Sequence, residues 1–144
     1  MIINHERMNA TEHSVKLRLE NFKQVSREYK LPLTPQKVAI FRTLAESSSH
    51  PRVQEIYEHV KMEFPSISLA TVYKNIKQFL ALGLAFEIPM PDGPARYDAK
   101  LEIHSHAVDT ADGSVYDLEL APTIHLPEII MGKKVKQAHV LYYL

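Results

Sequence analysis

A chain of 144 residues with 45% hydrophobic side chains can build one domain or two small ones around a real core, and its lack of any cysteine excludes disulfides, thiolate zinc sites and cysteine nucleophiles. Lysine plus arginine and aspartate plus glutamate each total 17, so a nucleic-acid partner would have to be held by a local patch and not by global charge. No apolar run approaches the ~18 residues of a membrane span, and the polar start from Met1 to Asn9 lacks a signal-peptide core, so a cytoplasmic protein without membrane contact is expected.

Residues 1 to about 13 read as a loose arm. Ser14 to Tyr29 has the spacing of a helix, with Val15, Leu17, Leu19, Phe22 and Val25 apolar. Leu31-Pro32-Leu33 breaks it, and Thr34-Pro35-Gln36-Lys37 starts a second helix with Thr34 as N-cap and Pro35 at the first helical position. Val38, Ile40, Phe41 and Leu44 supply its core face. After the loop Ser47 to Pro51, a third helix is predicted from about Arg52 to Phe64. Ile67 to Gly83 then reads as one amphipathic helix, capped by Ser68 and stopped by Gly83, with Leu69, Val72, Ile76, Phe79, Leu80 and Leu82 as its buried stripe. Its polar face offers Ser68, Thr71, Tyr73, Lys74, Asn75 and Lys77. Between Phe64 and Phe86 no carboxylate is present to repel a phosphate. A solvated surface helix with two lysines fits the same pattern.

After Gly83 the period changes. Leu84 to Met90 and Ala95 to Tyr97 read as two strands joined by Pro91-Asp92-Gly93-Pro94. Helices followed by a hairpin are the order of a winged helix-turn-helix, in which the last helix enters the major groove. In the second half, Ile103 to Val108 and Val115 to Leu120 are predicted strands around Thr110 to Gly113. Pro122 and Pro127 allow only a short helix within Ala121 to Met131, and Lys133 to Tyr143 reads as a final strand. So few strands cannot cover both faces of a sheet, which predicts a second copy as cover. The expected fold is therefore α+β: a winged helix-turn-helix domain over 1–97 and a small α/β dimerisation domain over 98–144, acting as a homodimer.

Asp98, His104, His106 and Asp117 fall at or near the seams of these strands. His104 and His106 are two apart and share a strand face. Imidazoles with carboxylates suit divalent Mn, Fe or Zn. A lone His-x-His is more often a surface pair or half of a satisfied polar patch; two carboxylates on neighbouring strands favour the metal, but spacing alone does not decide.

Leu33-Thr34-Pro35-Gln36-Lys37, Ser49-His50-Pro51, Ile67 to Asn75, Ala95-Arg96-Tyr97-Asp98 and His104-Ser105-His106-Ala107 together resemble the ferric uptake regulator (Fur) family, across roughly residues 20 to 120. The resemblance implies a dimeric, metal-dependent transcriptional repressor on a double-stranded DNA operator, and no enzyme. Within the family the chain is most similar to the peroxide-sensing branch, whose regulatory site of three His and two Asp maps onto His50, Asp98, His104, His106 and Asp117. The iron-sensing branch usually has Glu at the two Asp positions. The implied cofactor is Fe2+ or Mn2+, with Zn2+ a third option, and the implied switch is iron-driven oxidation of His50 or His104. Relatives carry a structural zinc on two Cys-x-x-Cys pairs. Asp109 and Asp112 stand where the first pair would be, so no cysteine-bound zinc is expected, and apolar packing by Val140, Leu141 and Tyr142 is the expected substitute.

For DNA, Tyr73, Lys74 and Asn75 have base-edge chemistry, with Ser68 beside them. Thr71, Lys77 and Arg96 suit phosphates, and Thr34 and Gln36 could take a phosphate at a helix start. His5, His13 and His59 read as surface residues, whereas His125 and His139 are open. The iron-sensing branch places a His near His139 in a second metal site, but Ile103 and Ser105 replace its usual partners. Three other readings stay in play: a metal-level sensor for iron, manganese or zinc; a metalloenzyme, for which no separate acid or base is found; and a metal-free winged helix.

Overall fold

The computed structural model describes residues 12–99, 104–121, 123–135 and 138–144, and these fall into two compact units that meet in sequence between Ala99 and His104. The expected arm lies outside the described residues, apart from its last two, which are helical. The first unit runs α1 (Glu12–Glu28), α2 (Pro35–Glu46), α3 (Val53–Glu63), α4 (Leu69–Ala81), β1 (Phe86–Ile88) and β2 (Arg96–Asp98). Among the described residues no helix is long and apolar enough to cross a membrane.

Local chemistry sets the helix ends. Thr34 Oγ1 accepts from the Lys37 N–H at 3.2 Å ahead of Pro35. The Arg52 N–H donates to Glu55 Oε2 at 2.8 Å at the start of α3. Ser68 Oγ accepts from the Thr71 N–H at 3.1 Å at the start of α4. Helix α4 ends in a Schellman turn: Leu84 N–H reaches Phe79 O at 2.9 Å and Gly83 N–H reaches Leu80 O at 3.1 Å. Gly83 has φ +70, a left-handed conformation that side-chain-bearing residues adopt at a cost.

Three phenylalanines pin α4 to the helices before it. Phe22 of α1 and Phe41 of α2 stack with centroids 4.3 Å apart, and Phe79 of α4 meets both edge-on at 5.5 and 5.3 Å. Ile40, Leu44, Ile56, Val72 and Ile76 close the same core. The anticipated apolar stripe of α4 is thus the buried one, with Leu69, Leu80 and Leu82 partly covered at its margin. Strands β1 and β2 pair antiparallel as a wing, with Glu87 opposite Tyr97 and Phe86 opposite Asp98. Strand β1 is shorter than the expected Leu84 to Met90, and Pro89, which supplies no N–H to a ladder, follows its last residue, whereas β2 keeps its expected length one residue further on. Asp98 belongs to this first unit, as the last residue of β2.

The second unit holds β3 (Ser105–Val108), β4 (Val115–Leu118), β5 (Ile129–Ile130), β6 (Lys133–Lys134) and β7 (Val140–Tyr143). Its main sheet has the order β4-β3-β7, antiparallel on one side of β3 and parallel on the other. Residues 109–113 turn on their own side chains: Asp109 Oδ1 accepts from Ala111 N–H at 2.9 Å and Asp112 Oδ1 from Ser114 N–H at 2.8 Å. The Ser114 N–H holds the Asp112 carboxyl below the usual carboxylate range. Two expectations fail here. No described residue between 121 and 131 is helical; Pro127 opposes a helix, and Met131 (φ +52) with Gly132 (φ +76) forms a tight hairpin turn between β5 and β6. The single strand expected over 133–143 is instead β6 and β7, which lie in different sheets.

Phe79→Ala should destabilise the chain by about 3–5 kcal/mol in urea unfolding, whereas Tyr73→Ala on the exposed side of α4 should stay within about 0.5 kcal/mol. Burial first, then Glu87 and Tyr73, raise the Tyr97 phenol above 10.0. A raised pKa favours the neutral phenol in the fold, so its contribution is present below pH 10 and lost as pH climbs through the folded value. Tyr97→Phe should flatten the loss of stability measured between neutral and strongly alkaline pH.

Candidate metal donors and nucleic-acid interface

The exposed flank of α4 carries Tyr73, at 44% exposure, with Lys74 and Lys77; Ser68 is exposed and Thr71 half-buried at its start. Ser68 and Thr34 each serve as a helix cap, and Ser68 Oγ also lies 2.8 Å from Thr71 Oγ1. Gln36 is half-buried on the first turn of α2. Asn75 departs from the expectation of an exposed base-edge donor. It is 9% exposed, and its amide donates to Thr71 O at 2.9 Å, one turn back on its own helix. The reason is position: Asn75 lies next to Ile76 and three residues from Val72, on the buried edge of the helix. Arg96 is half-buried, and its Nη1 donates to Ser49 O at 3.4 Å, which ties it to the loop before α3.

Lys37 of α2, which is not among the residues expected to meet DNA, lies close enough to Lys74 to feel its charge. Burial and the neighbouring Lys74 both push its amine below the usual lysine range. Two amines, one on α2 and one on α4, thus repel each other and concentrate positive charge locally on a chain that carries none overall. A clue was available: Lys37 sits in the first turn of α2, where the helix dipole disfavours a cation.

The five expected metal donors fall into two groups, one in each unit. In the first unit, the loop before α3 holds His50 and the end of β2 holds Asp98, with His50 Nε2 3.6 Å from Asp98 Oδ2. The Tyr97 N–H donates to Pro51 O at 3.0 Å, so the residues flanking the donors are bonded to each other. His50 adopts φ +53, a left-handed conformation that costs an L-residue about 1–2 kcal/mol and that clusters at functional sites.

In the second unit the pairing register does the placing. His106 of β3 lies opposite Asp117 of β4, and His104 is two residues away on the same face. His106 Nε2 is 3.0 Å from Asp117 Oδ1 and 3.1 Å from His104 Nε2, and His104 Nε2 is 3.4 Å from Asp117 Oδ1. Donors about 2.1 Å from a common ion lie about 3.0 Å apart at octahedral cis positions and about 3.4 Å apart in a tetrahedron, so the triangle has the dimensions of a ligand set. His106 is fully buried. Nitrogen and carboxylate oxygen without sulfur fit a borderline divalent ion such as Mn, Fe or Zn. The structure adds His139, just ahead of β7, whose Nε2 is 2.7 Å from His106 Nδ1.

The sequence profile of the ferric uptake regulator family matches residues 28–143. The peroxide-responsive repressor PerR of Staphylococcus epidermidis is 33% identical over 122 residues, which cover 85% of this chain and 77% of that protein. Among solved structures, the peroxide stress regulator of Campylobacter jejuni superposes with a TM-score of 0.61 at 30% identity, over 88% of this chain and 93% of that one. A zinc-bound manganese uptake regulator gives a TM-score of 0.59 at 27% identity, over 84% and 95%.

Lys37→Gln should weaken binding to duplex DNA by a similar factor for every sequence and reduce the slope of log affinity against log salt by about 1. Because the change also removes a repulsion with Lys74, the melting temperature of the free protein should not fall.

Proposed function

The chain belongs to the ferric uptake regulator family, and we propose that within it this protein is a repressor that senses peroxide through a bound ferrous ion. Members of the family are metal-dependent transcriptional regulators, not enzymes. The observation that carries the finer reading is the triangle of His104, His106 and Asp117, an all-nitrogen and oxygen set with aspartate as its acid. Likeness to peroxide-responsive regulators supports it.

On this reading, His50 and Asp98 of the first unit and His104, His106 and Asp117 of the second are donors to one regulatory ion. Filling all five positions with one ion ties the winged helix to the second unit. In a homodimer this fixes the spacing of two recognition helices against two operator half-sites. Tyr73, Lys74, Lys77 and Arg96 then work at base edges and phosphates, with Lys37, Thr71, Ser68, Thr34 and Gln36 around them. An Fe2+ ion held by these donors would promote attack of peroxide on an adjacent imidazole, in which peroxide gives one oxygen to a ring carbon and leaves as water. His50 or His104 is the side chain proposed to take up oxygen, and an oxidised imidazole no longer donates its lone pair. The tied state loses its differential stabilisation, and DNA is released. Mn2+ would fill the same donors without that chemistry. The likeness to a manganese uptake regulator favours a second reading, sensing of metal level alone.

The deciding experiment uses metal-depleted protein and duplexes selected from a random pool by the Mn2+-loaded form. Binding is titrated with Mn2+ and with anaerobic Fe2+, before and after a low dose of peroxide, for the natural chain and for His104→Ala. The proposal expects both metals to switch binding on, peroxide to abolish only the iron form, and His104→Ala to lose the metal response. Metal-driven binding that ignores peroxide would establish the metal-level reading, and binding that ignores metal and His104→Ala would overturn both.

A further inference from the structure

His106 is the most enclosed donor of the second unit, at 0% exposure, and both of its ring nitrogens face other ionisable side chains. Nε2 faces His104 Nε2 and Asp117 Oδ1, while Nδ1 faces His139 Nε2 at 2.7 Å. The parallel register explains the last contact. Ser105 pairs with Val140 and His106 with Leu141, so residues 104 and 106 share a sheet face with 139 and 141. His139 precedes Val140 directly and reaches diagonally to His106, the two rings meeting edge-on with centroids 4.9 Å apart.

We propose that His139 is a positioning residue that sets the tautomer of His106 and aims its Nε2 lone pair at the regulatory ion. The inference rests on the donor set assigned above. An imidazole that ligates through Nε2 must carry its proton on Nδ1, and that proton needs a buried acceptor. His139 Nε2, 2.7 Å from His106 Nδ1, stands where that acceptor is needed. In the ion-free protein Asp117 favours the opposite tautomer, because its carboxylate accepts a proton from Nε2. His139 serves both states: with its own proton on Nδ1 it accepts at Nε2, and with its proton on Nε2 it donates to His106 Nδ1. A carboxylate at this place could only accept. His139 therefore holds the ring of His106 in place while letting its tautomer exchange as the ion arrives.

The test compares the natural chain with His139→Leu, which removes the partner, and His139→Gln, whose amide can accept or donate. Zn2+ serves as a diamagnetic probe for proton-detected NMR of the His106 ring, and Mn2+ affinity is measured separately. A slowly exchanging His106 Nδ1–H is expected in the zinc-loaded natural chain and in His139→Gln, and absent in His139→Leu. Mn2+ affinity should fall about 10–100-fold in His139→Leu and recover in His139→Gln at unchanged stoichiometry. Equal affinity in all three chains overturns the positioning role while leaving the donor set intact. Loss in both variants, with reduced stoichiometry, overturns it in favour of direct ligation by His139. If the natural chain binds neither probe, or His104→Ala binds as tightly as the natural chain, the donor set itself fails.

Discussion

The pairing of β3 with its two neighbours is the constraint on which the cluster of His104, His106 and Asp117 depends. A strand has a period of two, so a slip of one residue would send His104 and His106 to the opposite face and bring Ser105 and Ala107 in their place. Register is held at both edges: antiparallel to β4, where His106 meets Asp117, and parallel to β7, where it meets Leu141. Beyond the ladder, Leu144 N–H donates to Val108 O at 2.8 Å and Thr110 Oγ1 donates to Leu144 O at 2.5 Å, which fastens the end of β7 to the turn that follows β3. Ser105, on the reverse face and fully buried, donates to the carbonyls of Leu118 and Glu119 at 3.4 and 3.3 Å.

The first unit solves a different problem, which is to present a helix rigidly while part of its surface stays open. The phenylalanine cluster anchors α4 from behind through Phe79, and the Schellman turn at Gly83 fixes where it stops. What remains exposed is a short row of amines, hydroxyls and a phenol. The bonds from Tyr97 to Pro51 and from Arg96 to Ser49 link the wing to the loop carrying His50, so His50 and Asp98, the proposed donors of this unit, sit on two segments that are tied together.

Much of this was readable in the sequence where the signal is local. Thr34-Pro35, Ser68 and Gly83 mark helix ends through chemistry confined to a few residues, and the stripe from Val72 to Phe79 announces its buried side by period alone. His104 and His106 advertise a shared face for the same reason. What failed or was missed depends on partners distant in the chain. Asn75 has the composition of a groove reader, but its position on the edge of the core turns the amide onto its own backbone. The nearness of Lys37 to Lys74 exists only once α2 and α4 are packed. His139 meets His106 through a parallel pairing of segments more than thirty residues apart. The short helix expected between Pro122 and Met131 failed for a local reason instead, the positive-φ turn at Met131-Gly132.

The turn from Asp109 to Gly113 has a consequence for how the protein ages in a cell. Where two thiolates and a zinc would bind this corner together, here two carboxylates close on backbone N–H groups two residues ahead. Such a corner needs no metallation step before the chain is mature, and a chelator cannot take it apart. No disulfide can trap it in a dead form either, since the chain has no sulfur that pairs. The shape of this corner is thereby independent of whether any ion is held elsewhere in the unit.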